Sequence, residues 1–160
     1  MELADTDARA WVALRPVGYQ FPGGTDTADR NWLVIDGQLR HRRNQWTFEE
    51  ACLTTLEAAS LPAWLRSVAS GDVEPLAYAA GATGRVPTLT FTEPNLAFSV
   101  AAYTDGAAVV RVHLSLESAP PWEAAAEIFD YHLELRLSAD ALRAAADAWE
   151  HDLLEFPPRP

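Results

Sequence analysis

Apolar and polar residues alternate most regularly in the second half of the chain. A period of two is typical of a strand with one buried face. This half therefore predicts a strand that ends at Glu93-Pro94, in which Leu89 and Phe91 alternate with threonines, and then three longer strands. Ser138 then suits the N-cap of a closing helix, whose apolar residues recur at helical spacing. The apolar positions of the longer strands are Leu96, Phe98 and Val100; Val110, Val112, Leu114 and Leu116; and Tyr131, Leu133, Leu135 and Leu137, and those of the helix are Leu142, Ala146, Trp149 and Leu153.

Asp105-Gly106 marks the turn between the first two of these longer strands. The apolar positions on both sides are even-numbered, so they share a face only if paired residue numbers add up to an even value. This parity excludes a two-residue loop and predicts a three-residue loop, Thr104-Asp105-Gly106, with a positive φ at Gly106. We expect this loop to pair Phe98 with Val112.

The first half of the chain shows shorter strand patterns and one helical pattern. Apolar residues from Leu53 to Val68 recur on one helical face. Pro62 predicts a kink or a restart near Ser60, because proline lacks an amide donor and crowds the preceding turn. The strand candidates span residues 9–15, 31–39 and 45–48, and a loop rich in proline and glycine spans 17–29.

Together these elements predict an α+β fold in a single domain over residues 1–160, with loose ends at 1–8 and 157–160. A mostly antiparallel, curved sheet of about five to seven strands is expected to pack its apolar face on the C-terminal helix. The mid-chain helix, kinked near Pro62, is the second helix of the fold. A chain of 160 residues can bury a sizeable core without a disulfide.

Charge narrows the class of partner. The chain has 23 acidic and 12 basic residues, all of the latter arginine, and a net charge of −11. Such a field repels phosphate and anionic lipid and attracts basic partners over about 8 Å at physiological salt. Direct binding to nucleic acid or to an anionic membrane is therefore disfavoured. Solubility alone is the alternative explanation of the charge.

Cysteine content and the N-terminal residues bear on the compartment. Cys52 is the single cysteine, so neither an intramolecular disulfide nor a thiolate metal cluster is expected. The segment from Met1 to Asp5 is acidic and lacks the features of a signal peptide. No apolar stretch approaches the roughly 18 residues of a membrane span. We expect a cytoplasmic protein.

The apolar positions of the last two strands also set the register of their pairing, if Trp122 lies in the middle of the connection. This register gathers polar residues on the opposite face of the sheet. The predicted pairs are Arg111 with Glu134, His113 with His132 and Ser115 with Asp130.

Three interpretations of this polar face are open. Imidazole and carboxylate groups could hold zinc or iron, although the close, fixed spacing of a metal motif is missing. The face could be solvent-exposed, with an ion pair that contributes at most about 1 kcal/mol, or it could bind a partner. We predict no catalytic residue, no metal site and no cofactor. The candidate partner-binding residues are Arg111, His113, Asp130, His132 and Glu134 on this face, and Asp140, Asp147 and Glu150 on the outer stripe of the last helix.

Short motifs follow one another along the chain in a distinctive order. They are Tyr19-Gln20-Phe21-Pro22, Asn31-Trp32-Leu33-Val34, Trp46-x-Phe48, Cys52-Leu53-Thr54-Thr55, Leu61-x-x-Trp64-Leu65, Phe91-x-Glu93-Pro94-Asn95-Leu96, Pro120-Pro121-Trp122 and Phe156-Pro157. Over residues 19–156, apart from 71–86, this series resembles the WapI family of bacterial immunity proteins.

The resemblance implies a cytosolic antidote that binds the toxic C-terminal domain of a secreted, contact-dependent toxin, typically an RNase. Such a protein has no catalytic activity of its own. The acidic charge fits this expectation, because nuclease domains present basic surfaces for phosphate. Two alternatives remain: a non-enzymatic interaction or scaffold domain with another partner, and a small metal-dependent hydrolase.

Overall fold

A computed structural model of the chain describes residues 1–7, 9–23, 26, 29–77, 86–123 and 127–160. Within these ranges the fold has eight strands and two α-helices. The strands are β1 (Glu2–Ala4), β2 (Ala10–Tyr19), β3 (Trp32–His41), β4 (Asn44–Thr54), β5 (Leu89–Thr90), β6 (Leu96–Thr104), β7 (Ala107–Leu114) and β8 (His132–Ser138). The helices are α1 (Thr55–Ser70) and α2 (Ala139–Leu153), and single 3₁₀ turns lie at Asp29–Asn31, Leu116–Ser118 and Pro121–Glu123.

The strands form two four-stranded antiparallel sheets. The first sheet has the order β1-β2-β3-β4 and the second the order β5-β6-β7-β8. The predicted α+β class and the antiparallel pairing are confirmed, whereas the curved sheet of about five to seven strands is replaced, in the described residues, by two sheets of four strands each. Alternation along a strand defines its two faces but not its neighbours, so the division into two sheets has no signal in the pattern.

Both sheets and both helices contribute to one apolar core. Leu33 in the first sheet and Phe98 in the second are fully buried. Helix α2 closes this core with Leu142 and Trp149, and Leu153 packs against its margin. The predicted position of the C-terminal helix is therefore confirmed. In the described parts of the chain, no helix has the length and apolar content that a membrane span requires.

Helix α1 has a defined cap at each end. The amide of Glu57 donates to the Thr54 hydroxyl at 3.2 Å, and the Glu57 carboxylate accepts from the Thr54 amide at 2.8 Å, which makes a capping box. Gly71 ends the helix with a φ of 80°, a conformation that favours glycine. Between these caps the helix is continuous, so the restart expected near Ser60 does not occur.

The proline inside α1 is tolerated because its lost hydrogen bond is replaced. Pro62 lacks the N–H group that would bond to the carbonyl of Ala58, four residues earlier. The indole Nε1–H of Trp149 donates to that carbonyl at 2.8 Å instead. Helix α2 thus satisfies the acceptor that the proline leaves open, and the two helices gain a directed contact.

The β6–β7 hairpin has the predicted register but a different turn. Phe98 pairs with Val112, as expected. The loop has two residues, Asp105 with φ 48° and Gly106 with φ 74°, so the three-residue loop is wrong and the positive φ at Gly106 is confirmed. A β-bulge at the centre of β6 adds the residue that restores the parity of the apolar positions.

Both terminal segments are bound to the rest of the fold, which corrects the expectation of loose ends. Strand β1 pairs with β2, although Ala8 lies outside the described residues. At the other end, the Tyr19 hydroxyl donates to the Pro157 carbonyl at 2.5 Å, and Asn31 exchanges two hydrogen bonds with the backbone of Arg159. The Arg159 guanidinium also lies 3.4 Å from the centre of the Tyr19 ring. Neither segment has the length or periodicity that predicts such contacts.

Candidate functional site

The polar sheet face is the outer side of β7 and β8, which carries four of the predicted site residues. Arg111 lies opposite Glu134 and His113 opposite His132, so the predicted register is confirmed. The centre of the face is not exposed to solvent, since Arg111 is 8% exposed and His113 is 0% exposed. The interpretation as a solvated face is therefore wrong at its centre, because other segments of the chain cover it.

Arg111 connects one of these covering segments to the sheet. Its Nε donates to the Glu134 carboxylate at 2.9 Å, and its Nη1 donates to the Leu76 carbonyl at 2.7 Å. Glu134 itself remains half exposed, with 51% of its side chain accessible. The ion pair therefore has one buried and one accessible partner.

A second segment covers the face beyond the end of β7. The strand ends at Leu114, so Ser115 does not pair with Asp130 as the sequence predicted. The Ser115 hydroxyl instead accepts from the amide of Phe129 at 2.8 Å. Asp130 is exposed at the edge of this segment.

His113 is held in one tautomer by its neighbours. The Phe129 carbonyl lies 2.9 Å from Nδ1 and can only accept, so Nδ1 carries the proton and Nε2 accepts from the Ser99 hydroxyl at 2.9 Å. Burial lowers the pKa of His113 to about 4. Burial also lowers the pKa of His132, whose ring centre is 5.2 Å away. Because its own pKa is about 4, His113 is uncharged at neutral pH.

The groups with nucleophilic character are enclosed. Ser99 and His113 are at the distance of a nucleophile and its base, but both are 0% exposed and cannot meet a substrate in this conformation. Burial is the largest cause that raises the pKa of Cys52 to about 12, followed by the nearby charge of Glu50. Over the ranges that the structure describes, no three His, Cys, Asp or Glu side chains are grouped as metal ligands.

The outer stripe of α2 is exposed, but its carboxylates have partners. Arg66 of α1 bonds to Asp147 at 2.6 Å and to both carboxylate oxygens of Glu150 at 2.6 and 2.7 Å. Asp140 pairs with Arg143 at 3.2 Å, one turn later in the same helix. The stripe is thus less acidic than the sequence suggested, and part of its charge connects the two helices.

Sequence reasoning missed a groove of about 370 Å³ between the first sheet and the turns that precede β6 and follow β7. Leu116, predicted on the apolar face of the strand, lies in this groove at 51% exposure with a φ of 55°. Segments that carry the family resemblance contribute several of the lining residues, so those motifs were an available signal. We call this site the acidic groove, and its principal residues are Trp32, Glu50, Glu93, Asn95, Leu116 and Glu117.

Comparison with known families identifies the class of protein. The model of the immunity protein WapI-like family matches residues 3–157. The chain belongs to this family. The match extends the resemblance drawn from motifs over residues 19–156 to nearly the whole chain. No curated protein and no solved structure matches it.

Membership of the WapI-like immunity family indicates which of the candidate residues bear on function. An immunity protein acts by binding a toxin protein, so its function depends on surface that a partner can reach. The covered residues of the polar sheet face support the fold of this WapI-like protein, whereas its exposed carboxylates and the acidic groove are open to a partner.

Proposed function

We propose that this WapI-like protein binds the C-terminal toxin domain of a secreted bacterial protein in the cytoplasm and neutralises it by covering a basic surface. Membership of the immunity family is the observation that carries this proposal. The net charge of −11, with arginine as the basic residue throughout, supports a basic partner.

A nuclease is the class of toxin that fits this charge best. An enzyme that binds phosphate presents arginine and lysine around its active site. An acidic protein that lies over those residues competes with the nucleic acid for the same surface. This mode of inhibition needs no catalytic group in the immunity protein, which is consistent with the enclosure of Ser99, His113 and Cys52.

The predicted partner-binding residues enter this proposal in two roles. Arg111 and His113 are covered, and we assign them to the support of the polar sheet face. The accessible residues are proposed as direct contacts with the toxin. They are Asp130, His132 and Glu134 on the polar sheet face, and Asp140, Asp147 and Glu150 on α2.

Co-expression tests the function directly. Cells that produce the toxin domain encoded beside this protein should survive when the protein is also produced and die when it is not. Purified protein should abolish the nuclease activity of that domain at a one-to-one ratio. Equal killing with and without the protein overturns the proposal for this pair.

The salt dependence of binding tests the role of charge. Complementary charge accelerates encounter, so association should slow about tenfold or more between low and high salt, with a smaller change in dissociation. Stopped-flow or surface-based kinetics with the purified toxin domain measure both rates. Association that is independent of salt contradicts an acidic binding surface while leaving neutralisation itself possible.

A further inference from the structure

The acidic groove exposes two large apolar side chains. Leu116 is 51% exposed, and Trp32, on the opposite wall, is partly exposed. Exposed apolar surface enclosed by polar groups is typical of binding surfaces on soluble proteins. Leu116 also has a φ of 55°, a conformation that costs a residue with a Cβ about 1 kcal/mol.

Carboxylates surround this apolar surface, and among the described residues no arginine forms an ion pair with them. Glu50, Glu93 and Glu117 line the groove, and none of its described lining residues is an arginine. Some carboxylates elsewhere have a cation beside them, as Asp147 has Arg66 on the helices and Glu134 has Arg111 on the polar sheet face. The groove therefore keeps a local negative charge that an incoming basic group can neutralise.

The wall of the groove that carries Glu93 is held in place by hydrogen bonds to helix α1. The Glu57 carboxylate, which caps α1, also accepts from the Thr92 amide at 2.6 Å and from the Thr92 hydroxyl at 2.7 Å. These bonds hold the turn at Thr92-Glu93 against the start of the helix. Burial acts to raise the pKa of Glu57, but hydrogen bonding to Thr54 and Thr92 lowers it overall. The Glu57 carboxylate therefore stays ionised at neutral pH.

The wall that carries Leu116 and Glu117 is fixed in a similar way. Asn95 is 2% exposed, and its Nδ2 donates to the Glu117 carboxylate at 2.9 Å. The Ser118 carbonyl accepts from Nε1 of Trp46 at 3.0 Å, which attaches the turn to β4. Because both walls are already ordered, a ligand would lose little conformational entropy to them.

We propose that the acidic groove is the docking site for a basic segment of the toxin. An arginine or lysine side chain enters between Glu50, Glu93 and Glu117, and an apolar neighbour in the same segment covers Leu116. Arginine suits the site better than lysine, because its planar guanidinium can bond to carboxylates and stack on the Trp32 ring. This inference rests on the proposed function and gives the binding surface a defined location.

Matched neutralising variants test the location. Glu50→Gln, Glu93→Gln and Glu117→Gln, combined, remove three charges and keep an acceptor for Asn95. The control combines Asp7→Asn, Asp72→Asn and Glu74→Gln, three exposed residues. Asp7 lies in the β1–β2 connection, at the opposite end of the first sheet, and the other two follow the far end of α1. Each variant loses three negative charges, so the two variants have the same net charge.

The readout is the dissociation constant for the purified toxin domain, with urea unfolding as a check on folding. The groove variant should bind at least about tenfold more weakly than wild type and the control less than about threefold, because close charge pairs contribute more than distant ones. Leu116→Asn, which tolerates a positive φ but removes the apolar side chain, should weaken binding about fivefold.

The outcomes separate the two proposals. If wild type neutralises the toxin and the groove variant binds as tightly as the control, the groove is overturned and the proposed function stands. Loss of binding on Glu134→Gln in that case would locate the interface on the polar sheet face. If wild type itself does not bind the toxin domain, both proposals fall.

Discussion

The polar sheet face and the acidic groove both carry charged residues, but they differ in where those residues find partners. On the polar sheet face, Arg111 bonds to Glu134 and to a backbone carbonyl, and His113 has a partner at each ring nitrogen. In the groove, Glu50 and Glu93 are lining residues for which no ion pair is found among the described residues, and hydrogen bonds from Thr92 to Glu57 hold the adjoining turn.

This difference separates structural from interaction roles. A buried polar group that is fully bonded holds chain segments together, and its removal is felt as a loss of stability. An accessible carboxylate without a cation contributes little to the fold and remains available to a partner. Substitutions of the buried residues Arg111 and His113 should therefore act on unfolding, and substitutions in the groove should act on binding.

The largest effect is expected from His113→Leu, which keeps a similar volume but removes both hydrogen bonds. The Phe129 carbonyl and the Ser99 hydroxyl would then be buried without these partners, at a cost of about 1–3 kcal/mol each. We expect the free energy of unfolding, measured with urea at pH 7, to fall by about 3 kcal/mol. A loss below about 1 kcal/mol would mean that the two groups find other partners, and the face would not be rigid.

Acid should weaken the same region in wild type. The pKa of His113 is about 4 in the folded protein and 6.5 in its ordinary state, because burial disfavours the charged ring and Arg111 and His132 add repulsion. Below pH 6.5 the unfolded chain binds a proton that the folded chain rejects, so stability is present above pH 6.5 and is lost as pH falls toward 4. The loss attributable to this group is about 2–3 kcal/mol.

Urea unfolding of wild type and His113→Leu at pH 7 and pH 4.5 measures this loss. Other groups also titrate over this range, so the relevant quantity is the difference between the two proteins. The variant should lose less stability on acidification than wild type. Equal losses would show that His113 accepts a proton in the folded state near its ordinary pKa.

Regular alternation allowed part of this fold to be predicted. The pairs Phe98–Val112 and Arg111–Glu134 followed from parity together with an assumed position for each loop, because a one-residue slip would expose every apolar side chain of the strand. The turn type did not follow, since a bulge changes parity without leaving a mark in the apolar pattern. Strand β2 also extends to Tyr19 through a proline and a glycine, against the local propensity that predicted a loop.

The site was less predictable, for a related reason. Periodicity shows which residues share a face, but it does not show which other segments cover that face, so His113 was predicted as a partner-binding residue although it is buried. The acidic groove combines Trp32, Glu50, Glu93 and Leu116 from separate parts of the chain. Leu116 continued the apolar alternation of β7, yet the strand ends at Leu114 and the next residues turn outward.

A smaller effect on stability is expected between the two helices. Their hydrogen bond from Trp149 to Ala58 resembles those of the polar sheet face, because it is buried and both of its groups are bonded. Trp149→Phe removes the donor to the Ala58 carbonyl, and Pro62→Ala supplies a new one within α1. The loss of stability caused by Trp149→Phe should therefore be about 1 kcal/mol smaller in the Pro62→Ala background than in wild type. A double-mutant cycle from urea unfolding measures this coupling, and purely additive changes would contradict the exchange of donors.

The smallest expected effect is a change in stability that has opposite signs on the polar sheet face and in the acidic groove. Glu134→Gln keeps an acceptor for Arg111 but removes the charge of a half-exposed ion pair, so it should lower stability by less than about 1 kcal/mol. Neutralising Glu50, Glu93 and Glu117 instead relieves repulsion between like charges, so it should raise stability by a few tenths of a kcal/mol, roughly. Both changes should shrink in about 0.5 M salt, because surface charges are screened. Thermal unfolding of both variants at low and high salt measures the sign of each change in stability and its dependence on salt. If the groove variant is destabilised as Glu134→Gln is, the charges of its carboxylates support the fold, and the groove is part of the folded framework rather than a surface that binds the toxin.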